Sequence, residues 1–216
     1  NKSKFVVINN AIEYLQKVDQ SDIEKNIAKK INSQVKNILY LGQIQKSKGI
    51  DNLIEIAKDD RLKNININVV GGGDYLEQFK QKVVELGLQS KFTLHGKVEY
   101  SKVKEFYNDA FVFVFPTKRY EGFPMVLVEA MFNYLPIISF NMGGVGDAID
   151  DKTTGYIIEN NNNKQLCDKI YNLISDNNLY LNMCKKSYNK AVQEFEISTM
   201  LEKYLIEIRN LIDENM

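Results

Sequence analysis

Glu121 and Glu129 stand eight positions apart in the run Lys118-Arg119-Tyr120-Glu121-Gly122-Phe123-Pro124-Met125-Val126-Leu127-Val128-Glu129-Ala130. Proline suits the first position of a helix, where its missing N–H would have no intrahelical acceptor. Pro124 is therefore expected to open a helix, with Glu121 in the loop before it and Glu129 inside it. The amides of Phe123, Met125 and Val126 would then converge on one point above the helix, and such a point attracts anions. A diphosphate would fit there. Taken by themselves, the two glutamates are equally well a loop charge and a solvated helix residue.

Other chemical groups are weaker signals. Gly71-Gly72-Gly73-Asp74 invites a dinucleotide reading, but the G-x-G-x-x-G spacing fails at Leu76 and the glycines follow a second strand, not the first. They are either an unhindered turn that lets backbone approach a ligand or a structural turn only. Gly143-Gly144 precedes another short helical stretch and has the same two readings. His95, the one histidine, ends a strand and is expected to be satisfied by local backbone. Cys167 and Cys184 lie in separate helical stretches, so no metal-ligand cluster is expected, and no D-x-D motif is present to hold a divalent cation.

The elements that must position these groups alternate regularly. Strand-length apolar runs occur at Ile38–Leu41, Ile65–Val70, Phe92–Leu94, Phe111–Phe115, Ile137–Phe140 and Tyr156–Ile158. Between them, stretches near 49–58, 75–86, 102–108, 125–132 and 144–149 carry apolar residues at three-and-four spacing. Such alternation predicts right-handed crossovers and a Rossmann-like parallel α/β sheet of about six strands with helices on both faces. Phe111–Phe115 is apolar at every position, as a strand covered on both faces must be, and is expected in the middle. Phe5–Ile8 is a strand-like lead-in, 19–31 a surface helix striped by Ile23, Ile27 and Ile31, and three helices follow at 164–175, 178–194 and 198–213. Ligands of open parallel sheets lie beyond the carboxyl ends of the strands, which selects the loops at 42–49, 71–74, 95–100, 116–124 and 141–146.

With those loops in view, the chain resembles the retaining GT-B glycosyltransferases of family 4 (group 1) over nearly its whole length. Their E-x7-E signature, "EGFG…LEAMA.G.PVIA…GG..E", has its counterpart in Glu121-Gly122-Phe123-Pro124, Val128-Glu129-Ala130-Met131 and Gly143-Gly144. Leu41-Gly42 with Lys48-Gly49 resembles the "GR…KG" loop, Val70–Gly73 "VGGG", Leu94–Gly96 "FLG", and Ile8–Ile12 the "PNGID" passage between domains. The resemblance implies the C-terminal, nucleotide-sugar-binding domain of a two-domain enzyme that takes a UDP- or GDP-linked sugar. Glu129 would hold the ribose hydroxyls, Glu121 those of the donor sugar, Val98 the base through main chain, and Gly143 and Gly144 the sugar and phosphate. Gly42, Gly122, Phe123, Pro124 and Met125 would complete the donor site.

A nucleoside diphosphate leaving group gains negative charge as the glycosidic bond breaks, so a fixed cation lowers the barrier. Lys48 is the candidate, catalytic together with Glu121. Where the family carries arginine this chain has Gln43, and a neutral hydrogen bond contributes about 0.5–1.5 kcal/mol against about 1.5–3 for a charged one. Lys46, Lys118 and Arg119 share the same rim of loops and could restore the charge.

Composition narrows the remaining classes. Lys plus Arg equals Asp plus Glu at 28 each, which gives no basic field for tracking nucleic acid. The longest apolar run, 110–116, falls well short of the roughly 18–20 residues of a membrane-spanning helix. Paired cysteines are lacking, and a cytoplasmic site of action fits, with peripheral contact at the inner membrane face open to the full-length protein. The start at Asn1 suggests a chain cut from a longer one. Residues 1–36 are expected to form an interdomain lead-in and surface helix, 37–195 the donor-binding domain, and 196–216 a helix crossing to a missing N-terminal domain, which would carry a glycan or lipid-linked acceptor. The expected activity is transfer of a hexose-type sugar without a cofactor or metal, the isolated domain being inactive on its own. A nucleotide-sugar epimerase of the same plan and a non-catalytic sugar- or nucleotide-binding module are the rivals, the second favoured by Gln43.

Overall fold

The computed structural model describes residues 5–13, 20–159 and 161–213. Its centre is a six-stranded, fully parallel sheet in the order β3-β2-β1-β4-β5-β6, with β1 at Lys36–Leu41, β2 at Ile65–Val70, β3 at Phe92–Gly96, β4 at Val112–Phe115, β5 at Ile137–Phe140 and β6 at Gly155–Ile158. The chain builds outward through β1, β2 and β3, then returns to place β4 on the other side of β1. Strand order therefore reverses between β1 and β4, opening a crevice between their carboxyl ends.

Both faces of the sheet are buried at its middle, which explains the unbroken apolar run of β4. Along β4, Val112 and Val114 join one core while Phe113 and Phe115 join the other, and all four are 3% exposed or less. Helices α1 (Gln20–Asn32), α2 (Asn52–Lys58), α3 (Leu76–Glu85), α4 (Tyr100–Asp109), α5 (Met125–Phe132), α6 (Val145–Ala148), α7 (Asn163–Ser175), α8 (Asn177–Glu194) and α9 (Ile197–Asp213) complete the chain. Ile23 and Ile27 of α1 are buried and Ile31 packs against the core, as their four-residue spacing requires. Tyr180 of α8 stacks on Phe111 at 3.9 Å between ring centres and donates its hydroxyl to the Phe111 carbonyl at 2.8 Å.

Two expectations need correction. Phe5–Ile8 forms no strand: Phe5 and Val7 are exposed, and the segment's ordered contact is the bridge of Ile12 to Glu196, with Ile12 N–H on the Phe195 carbonyl and Ile197 N–H on the Ile12 carbonyl, both at 3.1 Å. An apolar run without a ladder partner leaves its backbone to water. Pro124 also stands one position earlier than expected. It is the extended N-cap of α5 (φ −78°, ψ 106°), and its carbonyl accepts from Leu127 N–H at 3.0 Å, so the helix opens at Met125.

Helix α9 buries none of its side chains, and Leu201, Leu205, Ile208, Leu211 and Ile212 each lie about half exposed. No described helix is long and apolar enough to cross a membrane.

Candidate functional site

Lys48 and Glu121 come from the loops after β1 and β4, the two strands that flank the switch point. Lys48 closes a single-turn 3₁₀ helix at Lys46–Lys48, and its ammonium lies 2.6 Å from Glu121 Oε1. Both side chains are largely buried, 14% and 13% exposed. Two contacts hold the loops together, and one more fixes Glu121 within its own loop. The Lys118 N–H donates to the Ser47 carbonyl at 3.0 Å, and the Thr117 hydroxyl donates to Glu121 Oε1 at 2.8 Å. The other contact between the loops is the turn at Gly49 (φ +70°), which packs so tightly on Pro116 that a Cβ would sit 1.7 Å from the Pro116 carbonyl oxygen.

Gly143 and Gly144, after β5, press on the same loop from the other side. Gly143 takes φ +62° and bridges to Glu121, and Gly144 N–H donates to the Glu121 carbonyl at 2.9 Å. A Cβ at either position would meet the Glu121 or Gly122 carbonyl oxygen, at 2.2 and 1.7 Å. Their immediate task is thus to admit the backbone that carries Glu121. Gly71 and Gly73 show the same logic, each lacking room for a Cβ beside the Gly42 or Ile44 carbonyl, whereas Gly72 meets only Lys97 Cβ at 3.6 Å. Of the three, only Gly72 leaves its face open.

Gly42, Gln43 and Val98 line a cleft of about 460 Å³ together with Gly72, Lys97 and Val103. The Gln43 side chain is exposed, while its carbonyl accepts the buried Tyr40 hydroxyl at 2.7 Å. Val103 of α4 also lines a second pocket, about 280 Å³, whose walls include Ile12, Tyr100, Tyr107 and Glu129. The two spaces are neighbours across this one side chain. Glu129 Oε2 accepts from the Tyr107 hydroxyl at 2.9 Å and Oε1 from the Tyr100 hydroxyl at 3.4 Å. Burial pushes its carboxyl above the usual range, while the two phenols pull it back down.

The remaining site expectations divide. Gly122 is exposed at the mouth of the loop, but the Phe123 ring turns inward onto Phe195 at 5.3 Å, and Met125 packs on the core. Phe123 therefore offers backbone and not its ring. His95 pairs with the Asn68 side chain at 2.8 Å, not with backbone, and lies edge-on to Phe106; burial lowers its pKa. Cys167 and Cys184 are free and buried, each thiol pushed up to about 12 by burial. Thr117 escapes a sequence reading, as do the contacts of Tyr100 and Tyr107 with Glu129. Tyr100, Val103 and Tyr107 share one face of α4 at three-and-four spacing, a signal visible only once the helix is started at Tyr100.

A parallel sheet in this order, reversing between β1 and β4, is a Rossmann-like α/β domain, and solved structures that share it include GT-B glycosyltransferases. The chain belongs to the glycosyl transferases group 1 family, which it matches over residues 21–190. It is 27% identical over 221 residues to the poly(ribitol-phosphate) alpha-N-acetylglucosaminyltransferase of Staphylococcus aureus, covering 95% of this chain and 44% of that protein. A Staphylococcus aureus TarM mutant in complex with Fondaparinux, alpha-GlcNAc-glycerol and UDP superposes with a TM-score of 0.72 at 25% identity, over 93% of this chain and 37% of that one. The C-terminal domain of the group 1 glycosyltransferase LpcC from Francisella tularensis superposes at 0.68 with 24% identity, over 85% of this chain and 96% of that domain. The chain spans less than half the length of the two Staphylococcus aureus proteins.

Proposed function

We propose that the chain is the donor-binding domain of a retaining glycosyltransferase that moves a hexose-type sugar from a UDP- or GDP-sugar to a glycan or lipid-linked acceptor. The observation that carries it is the Lys48–Glu121 pair at the switch point, 2.6 Å across and walled by Gly143 and Gly144. A cation placed there neutralises the charge a departing nucleoside diphosphate develops, and the first-turn amides of α5 add fixed dipoles on the same side. Lys48 holds the diphosphate once Glu121 releases it, and Glu121 then accepts hydroxyls of the donor sugar. Glu129 accepts the ribose hydroxyls, and the base lies in the cleft beside Val98, with Gln43 supplying a neutral hydrogen bond where arginine is usual. No metal enters this scheme.

UDP in the related TarM complex, at 25% identity, makes uridine the first base to test. The acceptor binds a preceding domain to which residues 8–12 lead and towards which α9, with its uncovered apolar stripe, crosses. Action in the cytoplasm on a surface polysaccharide or teichoic-type acceptor accords with the poly(ribitol-phosphate) relative.

Calorimetric titration of the chain with UDP and GDP tests the scheme. Binding of one of them, lost in Glu129→Ala with the fold intact by circular dichroism, is the expected result. No heat with either nucleotide, or unchanged affinity in that variant, would count against it.

A further inference from the structure

Glu129 is half-buried, and among the described residues it forms no ion pair. What holds its charge is one phenol on each oxygen: Tyr107, buried at 2% exposure, on Oε2, and Tyr100, 77% exposed, on Oε1. The two tyrosines rise from the same face of α4, Tyr100 in its first turn and Tyr107 two turns on, so one rigid element fixes both donors. Val103 lies between them and forms the wall shared with the larger cleft. A carboxylate offers about four acceptor positions. With one phenol on each oxygen, a free position remains on each, and these two remaining positions can meet a pair of neighbouring hydroxyls.

We propose that Tyr100 and Tyr107 are positioning residues that orient Glu129 to accept a vicinal diol, and that Tyr100, at the mouth of the pocket, sets how strongly the site prefers a ribonucleotide over its 2′-deoxy counterpart. The inference rests on the nucleotide reading of the site above. Tyr107 serves as the inner anchor. Its ring packs beside Phe113 at 5.9 Å, and its hydroxyl also comes within 3.3 Å of the Val126 carbonyl, so it stays in place whether or not a ligand is present. Tyr100 makes no such ring contact among the described residues, and its hydroxyl rests on the acid itself. Without it, Oε1 loses its partner and the carboxylate can rotate away from the diol. The acid would then be protonated more readily, because a donor that stabilises the ionised form has gone.

The test uses the whole chain, wild type and Tyr100→Phe, titrated calorimetrically with UDP, GDP, dUDP and dGDP between pH 5 and 8. Wild type is expected to favour the ribonucleotide, and Tyr100→Phe to lower its affinity about fivefold, the equivalent of one hydrogen bond. The ribo-to-deoxy ratio should shrink by up to a similar factor, since the phenol acts through a vicinal diol of which dUDP and dGDP keep only the 3′-hydroxyl. A purely structural tyrosine would weaken all four nucleotides alike. Loss of binding in acid should also begin at higher pH in the variant. Tyr107→Phe, a buried change, should reduce the ratio further if it folds; the exposed Tyr100→Phe carries the test if it does not. An unchanged ratio and pH profile in Tyr100→Phe, with wild type binding well, overturns this inference alone. If wild type binds none of the four, the nucleotide reading falls and the inference falls with it.

Discussion

Replacing Lys48 by methionine keeps the reach of the side chain and deletes its charge, which isolates the ion pair at the switch point. At 2.6 Å, an effective dielectric of about 20 gives an attraction of about 6 kcal/mol between unit charges. Much of that offsets the desolvation of two groups that are 14% and 13% exposed. Removing one partner of a buried pair nevertheless costs about 3–5 kcal/mol, because the other charge is left behind. The Thr117 hydroxyl, 2.8 Å from Glu121, stays on the stranded carboxylate and relieves part of this, so the lower end, about 3 kcal/mol, is expected. Urea unfolding at pH 7 of wild type, Lys48→Met, Glu121→Gln and the double variant forms a cycle. The double variant should recover about 2 kcal/mol of the summed single losses. Lys46→Met, an exposed lysine in the same turn, should stay within about 0.5 kcal/mol of wild type. If Lys48→Met proved as mild as Lys46→Met and the coupling were close to zero, the ion pair would not exist in solution as described.

Gly143→Ala should destabilise by about 1–3 kcal/mol, read as a lowered thermal midpoint, because it places a Cβ in left-handed backbone against the Glu121 carbonyl; Gly146→Ala, whose Cβ would only touch the Asn141 side chain at 3.9 Å, is the control. Thr117→Val removes a buried donor from a carboxylate and should cost about 1.5–3 kcal/mol in urea unfolding. Burial lowers the Lys30 amine from 10.5 to about 8. The charged form is disfavoured in the folded chain, so the penalty is fully present below about pH 8 and fades as pH rises towards 10.5. Lys30→Met should therefore stabilise the protein by about 2–3 kcal/mol at pH 7 and by less at pH 10, measured by urea unfolding at both.

The middle of the sheet is legible in the sequence because β4 is buried at every position and reads as an unbroken apolar run, whereas β2 is interrupted by Asn66 and Asn68 and the edge strand β3 is only partly buried. Phe111–Phe115 needs no partner in view to declare itself central. Helix starts are less visible. Tyr100 and Ser101 follow a turn-like stretch, so the sequence places the start of α4 two residues late, at Lys102, and the outer aromatic partner of Glu129 is hidden with them. Tyr107 does read as core, and it is core; that its hydroxyl also reaches Glu129 depends on how α4 lies against α5, which no local pattern encodes. The Lys48–Glu121 contact joins residues 73 positions apart and follows only from the strand order. The glycine-rich turns show the opposite problem. Gly71 and Gly73 resemble ligand-approach glycines in sequence, yet backbone crowding from Gly42 and Ile44 accounts for them.

Ile12 meets the end of α8 and the start of α9 through two backbone hydrogen bonds, and its side chain forms part of the wall of the Glu129 pocket. Those two bonds fix the lead-in segment to the root of α9 at the edge of the acid pocket. One residue thus serves both as the anchor of the lead-in and as wall of the acid pocket.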